Sequence, residues 1–106
     1  MITQEEVDKA IAFLGDVDEQ ADDRANRIYM DAYQKSLKAL LMKEHDHGNS
    51  VAQQERDAYA DPAYIKHLEA QKEATFRDEK SRFLREAAHA TISCWQTQCA
   101  NERGVR

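Results

Sequence analysis

One proline and three glycines, Pro62 with Gly15, Gly48 and Gly104, are the only strong backbone punctuation in 106 residues. A fold of short strands and tight turns needs many more of both, whereas long helices need few. The remaining positions are rich in Ala, Glu, Gln, Lys, Arg and Leu, which lose little side-chain freedom on entering a helix. The expected fold class is all-α. The length suits a single domain spanning 1–106. With 42% hydrophobic and 33% charged residues, such a chain can fold but cannot bury a thick core.

Three helices follow from the start and stop signals. Thr3 and Glu6 have the spacing of a capping box, in which a hydroxyl and a carboxylate satisfy orphan amides at a helix start. From there Val7, Ile11, Leu14, Asp18, Ala21, Ala25, Ile28 and Ala32 recur at steps of four and three, the period of one packed helical seam. The stripe then drifts towards Leu37, Leu40 and Leu41. This predicts a helix over about 3–45, with a break or kink at Gly15. Gly48 and Asn49 tolerate left-handed backbone and end it, while Ser50 with Gln53 offers a second capping box before a short helix over 51–59. Asp61-Pro62 is a strong start signal for a last helix over 62–101. Its main stripe is Ile65, Leu68, Lys72, Phe76, Glu79, Phe83, Ala87, Ala90 and Cys94. A second stripe, Leu84, Ala88, Ile92, Trp95 and Cys99, lies beside it.

Two long helices with a short connector should fold back as an antiparallel hairpin. In that register Leu37–Leu41 meet Ile65 and Leu68, Ala21 and Ala25 face Phe83, and Val7, Ile11 and Leu14 meet Ile92, Trp95 and Cys99. Charge favours the pairing. Residues 1–61 carry fourteen acidic against seven basic side chains, and residues 62–106 carry six against eight. Two helices cannot cover the double stripe near the C-terminus, so completion of a helical bundle by a homo-oligomer or a docked protein is expected. No stretch approaches the ~20 apolar residues of a membrane span, and no secretion-signal pattern opens the chain. The expected location is the cytoplasm. Cys94 and Cys99, five apart on one helix, point away from each other and read as packing residues.

Catalytic chemistry finds no purchase in this sequence. There is no GxSxG, P-loop, HExxH or Gly-rich phosphate cradle, and the carboxylates are spread along solvated faces. His45, His47, His67 and His89 lack the paired spacing of a zinc site. The expectation is a non-enzyme without metal or cofactor. Three surfaces remain as candidates. Leu84, Ile92 and Trp95, with Tyr59 and Tyr64 at the turn, are candidate partner-interface residues, since buried aromatic anchors carry interface energy. Arg77, Lys80, Arg82 and Arg85, interleaved with phenylalanines, form a candidate contact for weak, salt-sensitive single-stranded nucleic acid. Asp16, Asp18, Glu19, Asp22 and Asp23 form an acidic patch able to mimic phosphates towards a basic partner.

Three stretches carry a resemblance: Arg27-Ile28-Tyr29 with Tyr33; the run from Gln54 through Asp61-Pro62-Ala63-Tyr64; and Trp95 with Ala100-Asn101-Glu102-Arg103. Across most of its length the chain resembles short helical proteins encoded by tailed phages and prophages. That resemblance implies an accessory to phage recombination or replication, or a small inhibitor of a host nuclease or defence complex. Either would act on a host or phage protein in the host cytoplasm. It brings no catalytic residues with it. The secreted WxG helical hairpins are set apart by the absence of Trp-x-Gly from the turn.

Overall fold

The computed structural model describes residues 1–105 and contains four helices: α1 (Gln4–Gly15), α2 (Val17–Glu44), α3 (Val51–Ala60) and α4 (Pro62–Val105). The fold class is all-α, a helical hairpin with a short connecting helix. The local signals act as their chemistry requires. The Thr3 hydroxyl accepts from the Glu6 amide at 3.2 Å, and the Glu6 carboxylate accepts from the Thr3 amide at 2.8 Å. Asp61 accepts from the Ala63 amide at 2.8 Å, and Pro62 opens α4. Ser50 caps α3 by accepting from the Gln53 amide, but the Gln53 side chain turns forward to Asp57, leaving that capping box half built. The turn between α2 and α3 takes its left-handed residues at His47 (φ 35°) and Gly48 (φ 79°). Asn49, expected there too, instead donates its amide to the His45 carbonyl.

The chain divides into two compact units, one of residues 22–78 and one of residues 1–21 with 79 onward. In the first, α2 and α4 run antiparallel. Arg27 bonds Asp78, Asp31 accepts from Gln71, Gln34 donates to the Tyr64 hydroxyl, and His67 donates to the Met30 carbonyl. Leu41, Ala58 and Tyr64 form the core at the turn, with Leu37 and Met42 against it. In the second unit the backbone of Ile2 exchanges two hydrogen bonds with the Gln98 side chain, both 3.1 Å, and Arg85 donates to Gln20. Val7, 1% exposed, is its best-buried large side chain.

Gly15 marks a real break. Asp16 separates α1 from α2, and the Gln20 amide closes the gap by donating to the carbonyls of Phe13 (2.7 Å) and Asp16 (3.0 Å). Without it, the Asp16 carbonyl would lose its side-chain partner, while the Phe13 carbonyl would keep the Asp16 amide at 3.1 Å.

The packed seam is not the apolar stripe. On α4 the buried and half-buried positions include Tyr64, His67, Gln71, Ala74, Asp78, Ser81, Arg85, Ala88, Ile92, Trp95 and Cys99. On α2 they include Gln20, Asp23, Arg27, Met30, Gln34, Leu37 and Leu41. Both sets step by three and four, so the heptad spacing is present, but in a neighbouring phase made largely of polar residues. Ile65, Leu68, Phe76 and Phe83 face out, as do Ala21, Ala25, Ile28 and Ala32. Of the expected N-terminal contacts, Ile11 is exposed, while Leu14, Ile92, Trp95 and Cys99 are half-buried. Small residues at Ala74, Ser81 and Ala88 let the helices approach, and cross-helix bonds satisfy the polar ones. Among the described residues no buried side-chain polar atom lacks a partner. A polar seam is admissible on that condition.

Candidate functional site

At the turn, α3 lays its side chains across the end of α2. Ala58 is wholly buried and brings Tyr59 to the edge of Tyr64, with ring centroids 5.2 Å apart and nearly perpendicular. This T-shaped arrangement is the geometry that aromatic quadrupoles favour. Lys38 reaches from α2 beneath that pair, its Nζ 4.8 Å from the Tyr59 centroid and 2.9 Å from a Glu55 oxygen. Hydrogen bonds that it donates, to Tyr59 first and Glu55 second, hold the Lys38 ammonium above its ordinary range. The Lys38 bond in turn holds the Glu55 carboxyl below its own. On the other side of the turn, Asp61 sits below the usual carboxylate range, held first by the Ala63 amide and then by His45 at 2.9 Å.

A groove of about 370 Å³ opens beside these residues, lined by Asp31, Gln34, Lys35, Lys38, Tyr59 and Tyr64. Tyr64 itself is buried and belongs to the turn core, so the member of the tyrosine pair that meets solvent is Tyr59. A second aromatic series continues along α2. Tyr29 stacks on Tyr33 at 5.9 Å, and Tyr33 tilts against the buried His67 at 5.6 Å. Tyr29 is 62% exposed, an unusual state for a large ring with an apolar body. In the sequence Tyr29 and Tyr33 stand out only within a stretch that carries the phage resemblance. Their separation of four, which stacks two rings on one helical face, was the available signal.

The second unit presents a different surface. Ile92 and Trp95 are half-buried on the packed seam, whereas Leu84 is exposed. Beside Leu84 stands Phe83, 57% exposed, with the Arg82 guanidinium 4.8 Å from its ring centroid.

Three of the four basic candidates are occupied within the chain. Arg77 bonds Glu73 at 2.8 Å, Arg82 bonds Glu79 at 2.6 Å, and Arg85 turns inward to Gln20. Lys80 is exposed. The acidic candidates are exposed except Asp23, which lines a groove of about 170 Å³ with Met30, Ala74 and Arg77. Asp18 and Glu19 lie in the first turn of α2, where negative charge complements the helix dipole.

Cys94 is exposed and Cys99 half-buried, both as thiols. No three His, Cys, Asp or Glu side chains converge as a metal site among the described residues. No described helix is long and apolar enough to cross a membrane. No protein-family model, curated protein or solved structure matches the chain.

Proposed function

We propose that this chain is a non-catalytic interaction protein that works through protein–protein contacts made by its helical faces. One observation carries the reading: the large apolar side chains are outside. The buried hydrophobic residues are Val7, Leu41, Tyr64 and four alanines, while Ile28, Tyr29, Leu40, Phe76, Phe83 and Leu84 among others stay exposed. A partner chain would cover large apolar side chains that the fold itself leaves in water. The resemblance to short phage and prophage proteins directs the search for that partner to recombination and replication machinery in the host cytoplasm. The pairing of Arg77 and Arg82 with carboxylates weighs against the single-strand reading.

The test is affinity capture of the tagged full chain from phage-infected host lysate after nuclease treatment. One protein recovered in stoichiometric amount, and lost with the exposed-face variants Tyr29→Ser and Tyr59→Ala, is the expected outcome. Recovery confined to proteins that nuclease removes would replace this reading with nucleic-acid binding.

A further inference from the structure

We infer that the outer face of α4 around Ala87 and Ala90 is the contact between two antiparallel copies of this chain, an inference that rests on the reading above that the chain acts through protein contacts. Residues 87–101 contain no Asp, Glu, Lys or Arg, in a chain that is 33% charged. Ala87, Ala90, Cys94 and Thr97 are all exposed there, as are Lys80 and Phe83 one to two turns earlier. Lys80, Phe83, Ala87, Ala90, Cys94 and Thr97 step by three, four, three, four and three, so they form a single stripe along the helix.

The stripe is complementary to itself when reversed. In a symmetric contact each residue meets the counterpart dictated by the two-fold axis. An axis midway between Ala87 and Ala90 sets Ala87 opposite Ala90 of the second copy, Phe83 opposite Cys94 and Lys80 opposite Thr97. Every position of the stripe then meets another position of the stripe. The bulky phenylalanine falls against a small residue, and the two alanines at the centre allow the helix axes to approach to about 8 Å. Electrostatics selects the same register. Residues 79–86 hold Glu79, Lys80, Arg82, Arg85 and Glu86, and they lie across residues 91–98, which hold no charge. No like charges oppose each other. A parallel pair would set Lys80 on Lys80 and Phe83 on Phe83 and leave the alanines facing a gap.

Sedimentation of the full chain tests the contact, with circular dichroism as the check on folding. The wild type should sediment as a dimer at micromolar concentration. Ala90→Arg, at an exposed position, should halve the sedimenting mass with helical content unchanged. Phe83→Cys in a Cys99→Ser background should form a disulfide between copies through Cys94 under mild oxidation. The wild type should not link through Cys94, since the two Cys94 residues lie about 16 Å apart along the axis at ~1.5 Å per residue. A wild-type monomer, a dimer indifferent to Ala90→Arg, or a wild-type Cys94 to Cys94 bridge would each overturn the proposal. A monomer that still captures a distinct protein from lysate would remove this contact alone; a monomer that captures nothing would remove the broader reading too.

Discussion

The polar seam makes an asymmetric prediction at Arg27 and Asp78. Their contact is 2.7 Å, but the two sides differ in exposure: the Arg27 side chain is 42% exposed and that of Asp78 only 11%. Removing one partner of a buried pair costs about 3–5 kcal/mol, because the charge left behind has no compensation. Here the pair is partly solvated through Arg27, and water will enter where the guanidinium was. The expected cost of Arg27→Ala is therefore nearer the ~1.5–3 kcal/mol of a hydrogen bond to a charged group. Asp78→Ala removes one acceptor from an arginine whose head already reaches water, and should cost about 1 kcal/mol or less. The double replacement Arg27→Met with Asp78→Leu puts apolar volume in both places and should be near neutral.

Thermal unfolding followed by circular dichroism reads all three variants, at one fixed protein concentration because association shifts the midpoint. At roughly 4 °C per kcal/mol for a chain of this size, Arg27→Ala should melt about 6–12 °C lower and Asp78→Ala at most about 4 °C lower. An Asp78→Ala variant as damaged as Arg27→Ala would refute the reasoning. It would mean that the arginine, not the carboxylate, is the group the fold has taken out of water.

Two further predictions concern the ends of the helices. Gln20→Ala should cost about 1–2 kcal/mol, since it removes the side-chain donor to the Asp16 carbonyl and the acceptor for Arg85, and leaves the Phe13 carbonyl with the Asp16 amide alone; faster hydrogen exchange in α1 is the expected sign, and unchanged protection there would count against it. At the turn, the pH dependence follows from three shifted groups. Asp61 and Glu55 are held below their ordinary values of 3.8 and 4.5, so their contribution is complete above those values and is lost as pH falls through the lower folded-state ones. Lys38 is held above 10.5, so its contribution is complete below that value and is lost only as pH rises through the higher folded-state one. Urea midpoints should therefore be flat near neutrality and fall in acid below about pH 4. Asp61→Asn keeps an acceptor for the Ala63 amide while removing the charge, so an acid slope identical to wild type would show that Asp61 plays no part in it.

Much of this architecture can be read locally, because caps and turn residues act over three or four positions. Thr3, Asp61-Pro62, Gly48 and the interruption at Gly15 each announce a helix boundary, and the helices begin or end within a few residues of them. What the reading missed is which face turns inward. Periodicity reports a phase, and the rule that the apolar phase is buried holds when burial is where the chain gains most. On α4 two phases compete at almost the same pitch. Ile65, Leu68, Phe76 and Phe83 make the apolar one, and Tyr64, His67, Asp78 and Ser81 make the buried one. No single side chain in the buried phase signals its partner, since Arg27 and Asp78 lie fifty-one residues apart, and Gln20 and Arg85 sixty-five. The same shift of phase decides which candidate residues stay outward. Once Tyr64, Ile92 and Trp95 turn towards the chain's own seam, the faces left for partners are Tyr59, the Tyr29–Tyr33 stack and the stripe through Phe83. A hairpin held by hydrogen-bonded pairs while its apolar faces stay outward has its strongest association energy still unclaimed by the fold. That inversion, more than any motif, is the ground on which we propose contact with another chain.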